Sequence, residues 1–209
     1  MTTIMTFALA ATLLVGTALA QTVNFDSFTS GAPPPGWTAT KTGSGNPKWT
    51  VERDDSAPSK PNVLKQSGQA TYPVCIKDDT SLKDGFVEVK FKPISGKEDQ
   101  AGGIVVRLID RNNYYLARAN ALENNVHFFR VVRGNRQELA GANTRVASGS
   151  WHTLTLRAEG NRFTVSLDGK QLFTHTDRTF NAPGKVALWT KADSVTLFDW
   201  IDVKPLKER

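Results

Sequence analysis

Cysteine is almost absent: one residue, Cys75, among 209. A single thiol closes the routes that need several, namely an intramolecular disulfide framework, a Cys-rich structural zinc site and a Cys-x-x-Cys redox pair. Long apolar runs are scarce as well. Residues 4–19 form one such run, shorter than the ~20 residues of a spanning helix, and nothing after them is apolar for long enough to cross a membrane. No stretch beyond residue 20 carries a long amphipathic helical pattern. Acidic side chains are the minority charge, with 20 Asp and Glu against 26 Lys and Arg, a net +6. That excess makes an anionic partner worth pursuing, although it is also what solubility alone requires. At 39% apolar and 22% charged residues, the composition is that of a globular domain, not of a disordered or fibrous chain.

Residues 1–20 read as a signal peptide. Ala8-Leu9-Ala10-Ala11 and Leu13-Leu14-Val15 make an apolar segment, and Ala18-Leu19-Ala20 fits a small-x-small cleavage site before Gln21. The amino-terminal end of this segment lacks the usual Lys or Arg, and a membrane anchor is the alternative. Cleavage would leave residues 21–209 as one domain, secreted or periplasmic, that keeps the whole charge excess. In that compartment a lone Cys75 within Pro73-Val74-Cys75-Ile76 is expected as a buried small hydrophobe.

What is present is alternation. Val87, Val89 and Phe91 fall on one face of a strand whose other face carries Glu88 and Lys90. Leu154 and Leu156 alternate with Thr153, Thr155 and Arg157; Gly160-Asn161 then turns the chain into Phe163-Val165-Leu167, and Asp168-Gly169 turns it again. Further turn signals recur roughly every ten residues. About a dozen short strands in one domain predict an all-β fold of two packed antiparallel sheets, because each strand has one face to bury.

Several segments carry a family resemblance: Asn24-Phe25-Asp26-Ser27-Phe28, Gly102 to Arg107 running into Asp110 to Tyr115, Gly149-Ser150-Trp151-His152, Val165 to Lys170, and Gly184 to Trp189 with Phe198-Asp199. Together they resemble the concanavalin A-like lectin/glucanase superfamily. More narrowly, they resemble secreted bacterial LamG-like domains near the 3-keto-disaccharide hydrolase group. The resemblance implies a jelly-roll sandwich whose concave sheet holds carbohydrate. It also implies a structural calcium near the paired chain ends, at positions matched by Asp26 and Asp199. Calcium takes 6–8 oxygens, so carbonyls and waters would have to complete that shell; the competing role for both residues is ordinary turn or strand-end hydrogen bonding. No other cofactor is implied.

Catalytic motifs of the superfamily are missing. Retaining glycosidases need two carboxylates about 5 Å apart, and the Glu-x-Asp-x-x-Glu strand that supplies them in laminarinase-type members occurs nowhere. The Arg-rich, Gln-x-His and Tyr-x-Lys strands of alginate-lyase-like members are absent, as is a Gly-x-Ser-x-Gly partner for His127, His152 or His175. Beside Trp151, His152 is expected to be structural. Were the chain a hydrolase or lyase of an uncharacterised type, Glu123 would be the candidate acid/base.

Binding has better support. If Ile104, Val106 and Leu108 face the core, Arg107 faces away; if Val186 and Leu188 do, Trp189 and Lys191 face away; Tyr114, Arg118 and Asn120 share a face of the strand between them. Aromatic platforms stack on sugar rings, and planar forks meet hydroxyls or carboxylates in bidentate fashion. Between positions 107 and 136 stand six arginines, no lysine and only two acidic residues, which favours a uronic-acid-rich or sulfated polysaccharide. An ordinary solvated sheet face is the plainer alternative. Nucleic acid is disfavoured by export and by the lack of a recognition motif. The sequence thus predicts a monomeric, exported, carbohydrate-binding jelly roll. A glycoside hydrolase (3-keto-disaccharide hydrolase-like) or polysaccharide lyase, and a structural envelope interaction domain, stay open as alternatives.

Overall fold

The computed structural model describes residues 20–206; all of the expected leader except Ala20 lies outside the described residues. Fifteen strands and no helix occur among them. In chain order they are β1 (Gln21–Asn24), β2 (Trp37–Asn46), β3 (Trp49–Arg53), β4 (Asn62–Gln66) and β5 (Gln69–Leu82). Next come β6 (Gly85–Ser95), β7 (Ala101–Asp110), β8 (Asn113–Asn120), β9 (Asn125–Val132) and β10 (Asn135–Asn143). The last five are β11 (His152–Glu159), β12 (Arg162–Leu167), β13 (Lys170–Thr176), β14 (Gly184–Trp189) and β15 (Val195–Pro205).

Two antiparallel sheets result. One runs β13-β12-β11-β6-β15-β4-β3, with β1 added beside β15; the other runs β10-β9-β8-β7-β14-β5-β2. Local chemistry sets the hairpins: Arg133-Gly134 and Asp168-Gly169 both hold positive φ, the conformation a tight two-residue turn requires. Val87, Val89, Phe91, Leu154, Leu156, Ile201 and Val203 of the first sheet meet Ile104, Val106, Tyr115, Phe128, Val186 and Leu188 of the second in the main core. Each large side chain so buried contributes about 1.5–3 kcal/mol. Cys75 lies in this core. The Tyr115, Phe128 and Phe163 rings pack at its centre with centroids 4.5–5.6 Å apart.

The two sheets differ in what they do with their outer faces. On the first, β6 and β11 alternate buried and half-buried residues almost strictly, as expected when one face meets water. On the second, eight consecutive residues of β7 and seven of β8 are buried, so both faces are covered along these central strands, while β2 and β10 at its borders stay largely exposed. Its second face carries a separate apolar cluster of Val74, Ala101, Val105, Leu108, Tyr114, Leu116, Phe129, Val131, Ala187 and Trp189.

A bulge at Arg107 interrupts the alternation of β7. Ala187 pairs with Val105 and Lys185 with Leu108, so β7 fits three steps where β14 takes two. Arg107 takes φ of +49°, and a Cβ at Gly184 would lie 2.4 Å from its carbonyl carbon, which leaves only glycine at that position. One extra residue reverses the parity of everything after it. Leu108 therefore joins the second face with Val105, and Arg107 turns to the other side.

Candidate functional site

The second face of the β10-to-β2 sheet is concave, and its rows follow from register. One row crosses six strands: Val74 opposite Trp189, Trp189 opposite Gly103, Gly103 opposite Arg118, Arg118 opposite His127, His127 opposite Gly141. Gly141 has no side chain because the His127 ring occupies that space, with Cδ2 2.3 Å from where a Cβ would stand. The next row towards one end brings Asn120 and Asn125 together.

Trp189 and Tyr114 form the floor. Both are fully buried. Trp189 Nε1 donates to the Tyr114 hydroxyl at 3.3 Å, that hydroxyl lies 2.8 Å from Thr42 Oγ1, and Tyr72 packs on Trp189 at 5.3 Å. Burial pushes the Tyr114 phenol up to about 12, against the smaller opposing pull of its hydrogen bonds. The roof is Arg136. Its guanidinium lies 4.5 Å from the centroid of Phe129, 5.0 Å from Tyr72 and 5.9 Å from Trp189. In a flat sheet β10 and β5 would be about 24 Å apart, five spacings of ~4.8 Å, a gap no arginine spans. The sheet must therefore roll until its β9–β10 hairpin hangs over β5 and β14. Thr42 of β2 accordingly donates to the Arg111 carbonyl in the β7–β8 turn.

A polar rim surrounds the floor. Arg118 donates to Glu123 Oε2 at 2.8 Å and to Asn125 Oδ1 at 2.9 Å, and its guanidinium sits 5.5 Å from the Phe129 centroid. Buried Asp99 accepts from Asn120 Nδ2 at 2.5 Å and from Lys191 Nζ. His127 Nδ1 and Glu138 Oε2 are 3.0 Å apart. Burial alone would raise the Glu123 carboxyl, but the Arg118 hydrogen bond and charge, with Asn125, outweigh it and hold it below the ordinary carboxylate range. A general acid needs the reverse, so Glu123 suits the role of an ion-pair partner.

Five of the six residues singled out from the sequence come together here: Tyr114, Arg118, Asn120, Trp189 and Lys191. Two corrections follow. Arg107 is not among them; the bulge sends its fully buried side chain to a different set of partners, the carbonyls of Lys83 at 2.9 Å, Phe180 at 2.8 Å and Gly160 at 2.5 Å and the Asp84 carboxylate at 3.1 Å. Nor is Trp189 an open stacking platform, since the roll of the sheet brings Arg136 and Tyr72 over it. Alternation predicts which way a side chain points but not how far a sheet curls. Arg136, Tyr72 and Phe129 were not picked out as site residues. The run of arginines between 107 and 136 was the available signal for Arg136, and nothing in the pattern separates it from its neighbours.

Asp26 and Asp199 lie close enough to repel each other: burial, with the Asp26 charge adding to it, raises the Asp199 carboxyl. Their oxygens face hydrogens. Asp199 accepts from Ser59 N and, at 2.7 Å, from Ser59 Oγ, and Asp26 accepts from Asn62 N at 3.0 Å. Among the described residues no group of three or more acidic, His or Cys side chains converges. This donor set fits a hydrogen-bonded anchor for the 54–62 segment; a calcium ion there would take the rest of its 6–8 oxygens from carbonyls and water. His152 likewise holds structure, with Nδ1 2.7 Å from Asp168 and Nε2 3.0 Å from the Ala147 carbonyl.

The sequence profile described as "Galactocerebrosidase, C-terminal lectin domain" matches residues 97–206, which span β7 to β15 and hence most of the concave face. The chain belongs to this lectin-domain family. No curated protein matches the lectin-like chain in sequence. Among solved structures it is similar to the carbohydrate binding module CBM66 from Bacillus subtilis, at 24% identity and a TM-score of 0.65, over 82% of this chain and 96% of the module. It is also similar to the Bacillus licheniformis beta-glucanase (15% identity, TM-score 0.61, 93% and 100% covered). A glycoside hydrolase family 16 endo-glucanase from Bacteroides ovatus is similar too (12%, 0.61, 88% and 99%). These likenesses establish the concanavalin A-like jelly roll of the lectin-like domain.

Proposed function

We propose that this lectin-like domain binds a polysaccharide across its concave sheet, outside the cytoplasm, as a monomer and without a chemical step. The carrying observation is the polar rim of Arg118, Asn120, Asn125, His127 and Lys191, held in place by Glu123, Asp99 and Glu138 beside a buried aromatic floor. Membership of a lectin-domain family supports the reading, as does likeness to a structure named as a carbohydrate binding module. The arginines of the face favour a glycan bearing carboxylate or sulfate groups over a neutral one.

Affinity electrophoresis through gels containing polygalacturonate, alginate, a sulfated galactan, levan or mixed-linkage β-glucan tests this. Retardation by an acidic polymer that fades as salt is raised, and that weakens in Arg118→Ala, is the expected result. Free migration through all five gels would sink the proposal. Export is tested by sequencing the amino terminus of protein recovered outside the cytoplasm, which should begin at Gln21.

A further inference from the structure

Two guanidinium groups flank one ring on the concave face. Register sets Arg118 opposite His127 and Arg136 opposite Val131, so the two approach Phe129, which lies between those positions on β9, from opposite diagonals. Their centroid distances are 5.5 and 4.5 Å. They differ in charge compensation. Arg118 has its own carboxylate, Glu123, at 2.8 Å. Arg136 has none among the described residues: Glu138, the acidic side chain nearest it on β10, is engaged with His127. Three aromatic rings surround the Arg136 guanidinium, and rings offer a cation their faces but no in-plane lone pair. Its Nη1 is accordingly buried without a hydrogen-bond partner. Arg118 Nε is in the same condition.

Buried donors are rarely left unpaired, and each such atom asks for an explanation. Here both orphan donors belong to guanidinium groups on the same ring, at the face read above as the ligand surface. The uncompensated one is fixed in orientation by its aromatic neighbours, which is the state in which a fork costs least to use. We propose that Arg136 is the specificity-determining residue of the concave face and that it reads the carboxylate of a uronic acid. The carboxylate meets the edge of the guanidinium that the rings leave partly open, since Arg136 is only half-buried while Nη1 itself is covered, and the adjacent pyranose ring lies against the edge of Tyr72. A tetrahedral sulfate can also meet a planar fork through two oxygens, so a sulfated polymer is the competitor that decides between the two anions. The inference rests on the concave face being the glycan surface.

The test titrates wild-type protein, Arg136→Lys and Arg136→Gln with polygalacturonate and with the same polymer reduced at its carboxyl groups, by calorimetry at fixed salt. Wild type should bind polygalacturonate at least about tenfold more tightly than the reduced polymer. Both variants should lose that preference, and lysine should fail because it keeps the charge but not the fork. Free glucuronate should compete with the native protein where glucose does not, a measurement that needs no variant. Arg136→Lys binding as tightly as wild type would overturn the proposal, as would equal binding of the reduced polymer or tighter binding of a sulfated galactan. In all three of those outcomes the glycan surface itself would survive; if no polymer binds at all, the functional reading falls first and this inference with it.

Discussion

Replacing Arg107 by alanine removes a side chain that ties three separate segments together. Its guanidinium reaches the Lys83 carbonyl and Asp84 in the β5–β6 turn, the Gly160 carbonyl in the β11–β12 turn and the Phe180 carbonyl, and it stacks on Phe163 at 5.0 Å. The guanidinium is fully buried, whereas Asp84 is 34% exposed and the Lys83 and Gly160 turns meet water. Deleting the arginine therefore costs about 3 kcal/mol, the lower end of the range for breaking a buried charged pair. For a domain of this size each kcal/mol lowers the melting temperature by about 2–4 °C, so Arg107→Ala should lose about 6–12 °C. Arg107→Gly should lose less, by about 1 kcal/mol, since glycine adopts a φ of +49° without the Cβ penalty. Thermal and urea denaturation of the two variants measure both effects, and gel retardation of whichever remains folded measures binding. If Arg107→Ala melted with wild type and lost polysaccharide affinity, the assignment of this residue to the scaffold would be refuted, and the parity argument at the bulge with it.

Acid should destabilise the fold partly through Asp177. Burial raises its carboxyl, but hydrogen bonds from Thr179 and Tyr115 and the Arg130 charge outweigh this and lower it. Its contribution is therefore complete above the ordinary aspartate value near pH ~4 and is lost as pH falls through the lowered folded value; Asp177→Asn should flatten that part of the stability curve measured between pH 2 and 5. Asp199 carries the opposite sign. Its raised carboxyl is an ionised burden at neutral pH that eases as pH falls through the folded value, so Asp199→Asn should melt at or above wild type at pH 7, and calcium should leave both melting temperatures unchanged. A calcium-dependent rise that disappears in Asp199→Asn would show that carbonyls and water complete a metal shell there after all. Burial pushes the Cys75 thiol far up, so a maleimide should label it only as urea unfolds the chain; labelling of the native protein within minutes would place it outside the core.

Much of the architecture was legible because strand alternation is a local property. The faces of β6, β11 and β12 follow directly from Val87, Val89, Leu154, Leu156 and Val165 against their polar neighbours, and Asp168-Gly169 and Gly160-Asn161 mark turns by their own backbone preferences. The same reasoning placed Tyr114, Arg118 and Trp189 on one face. It failed at Arg107, where a bulge adds one residue to β7 and shifts parity without leaving a local mark; Gly184, which permits the close approach, sits 77 positions away in the chain. It also failed to foresee that Trp189 would be covered. Curvature accumulates over seven strands, and no window of sequence contains it. Nor did composition distinguish Arg136 from five other arginines, because what sets it apart is the company of Tyr72, Phe129 and Trp189, brought from three other strands.

The roll of the concave sheet also bears on how this molecule avoids its own kind. An open seven-stranded sheet ends in two strands, here β2 and β10, each with unpaired backbone groups that can recruit a strand from another copy. In this fold Thr42 of β2 is engaged by the β7–β8 turn, and that turn in turn receives the amide of Gly134 at the start of the β10 hairpin arm, 2.9 Å from the Asn112 carbonyl. At that end the two borders of the sheet are drawn inward towards each other. A neighbouring molecule meets there a closed rim and a bend in place of a straight, outward-facing template, so the curvature that hides an aromatic floor also guards against edge-to-edge aggregation.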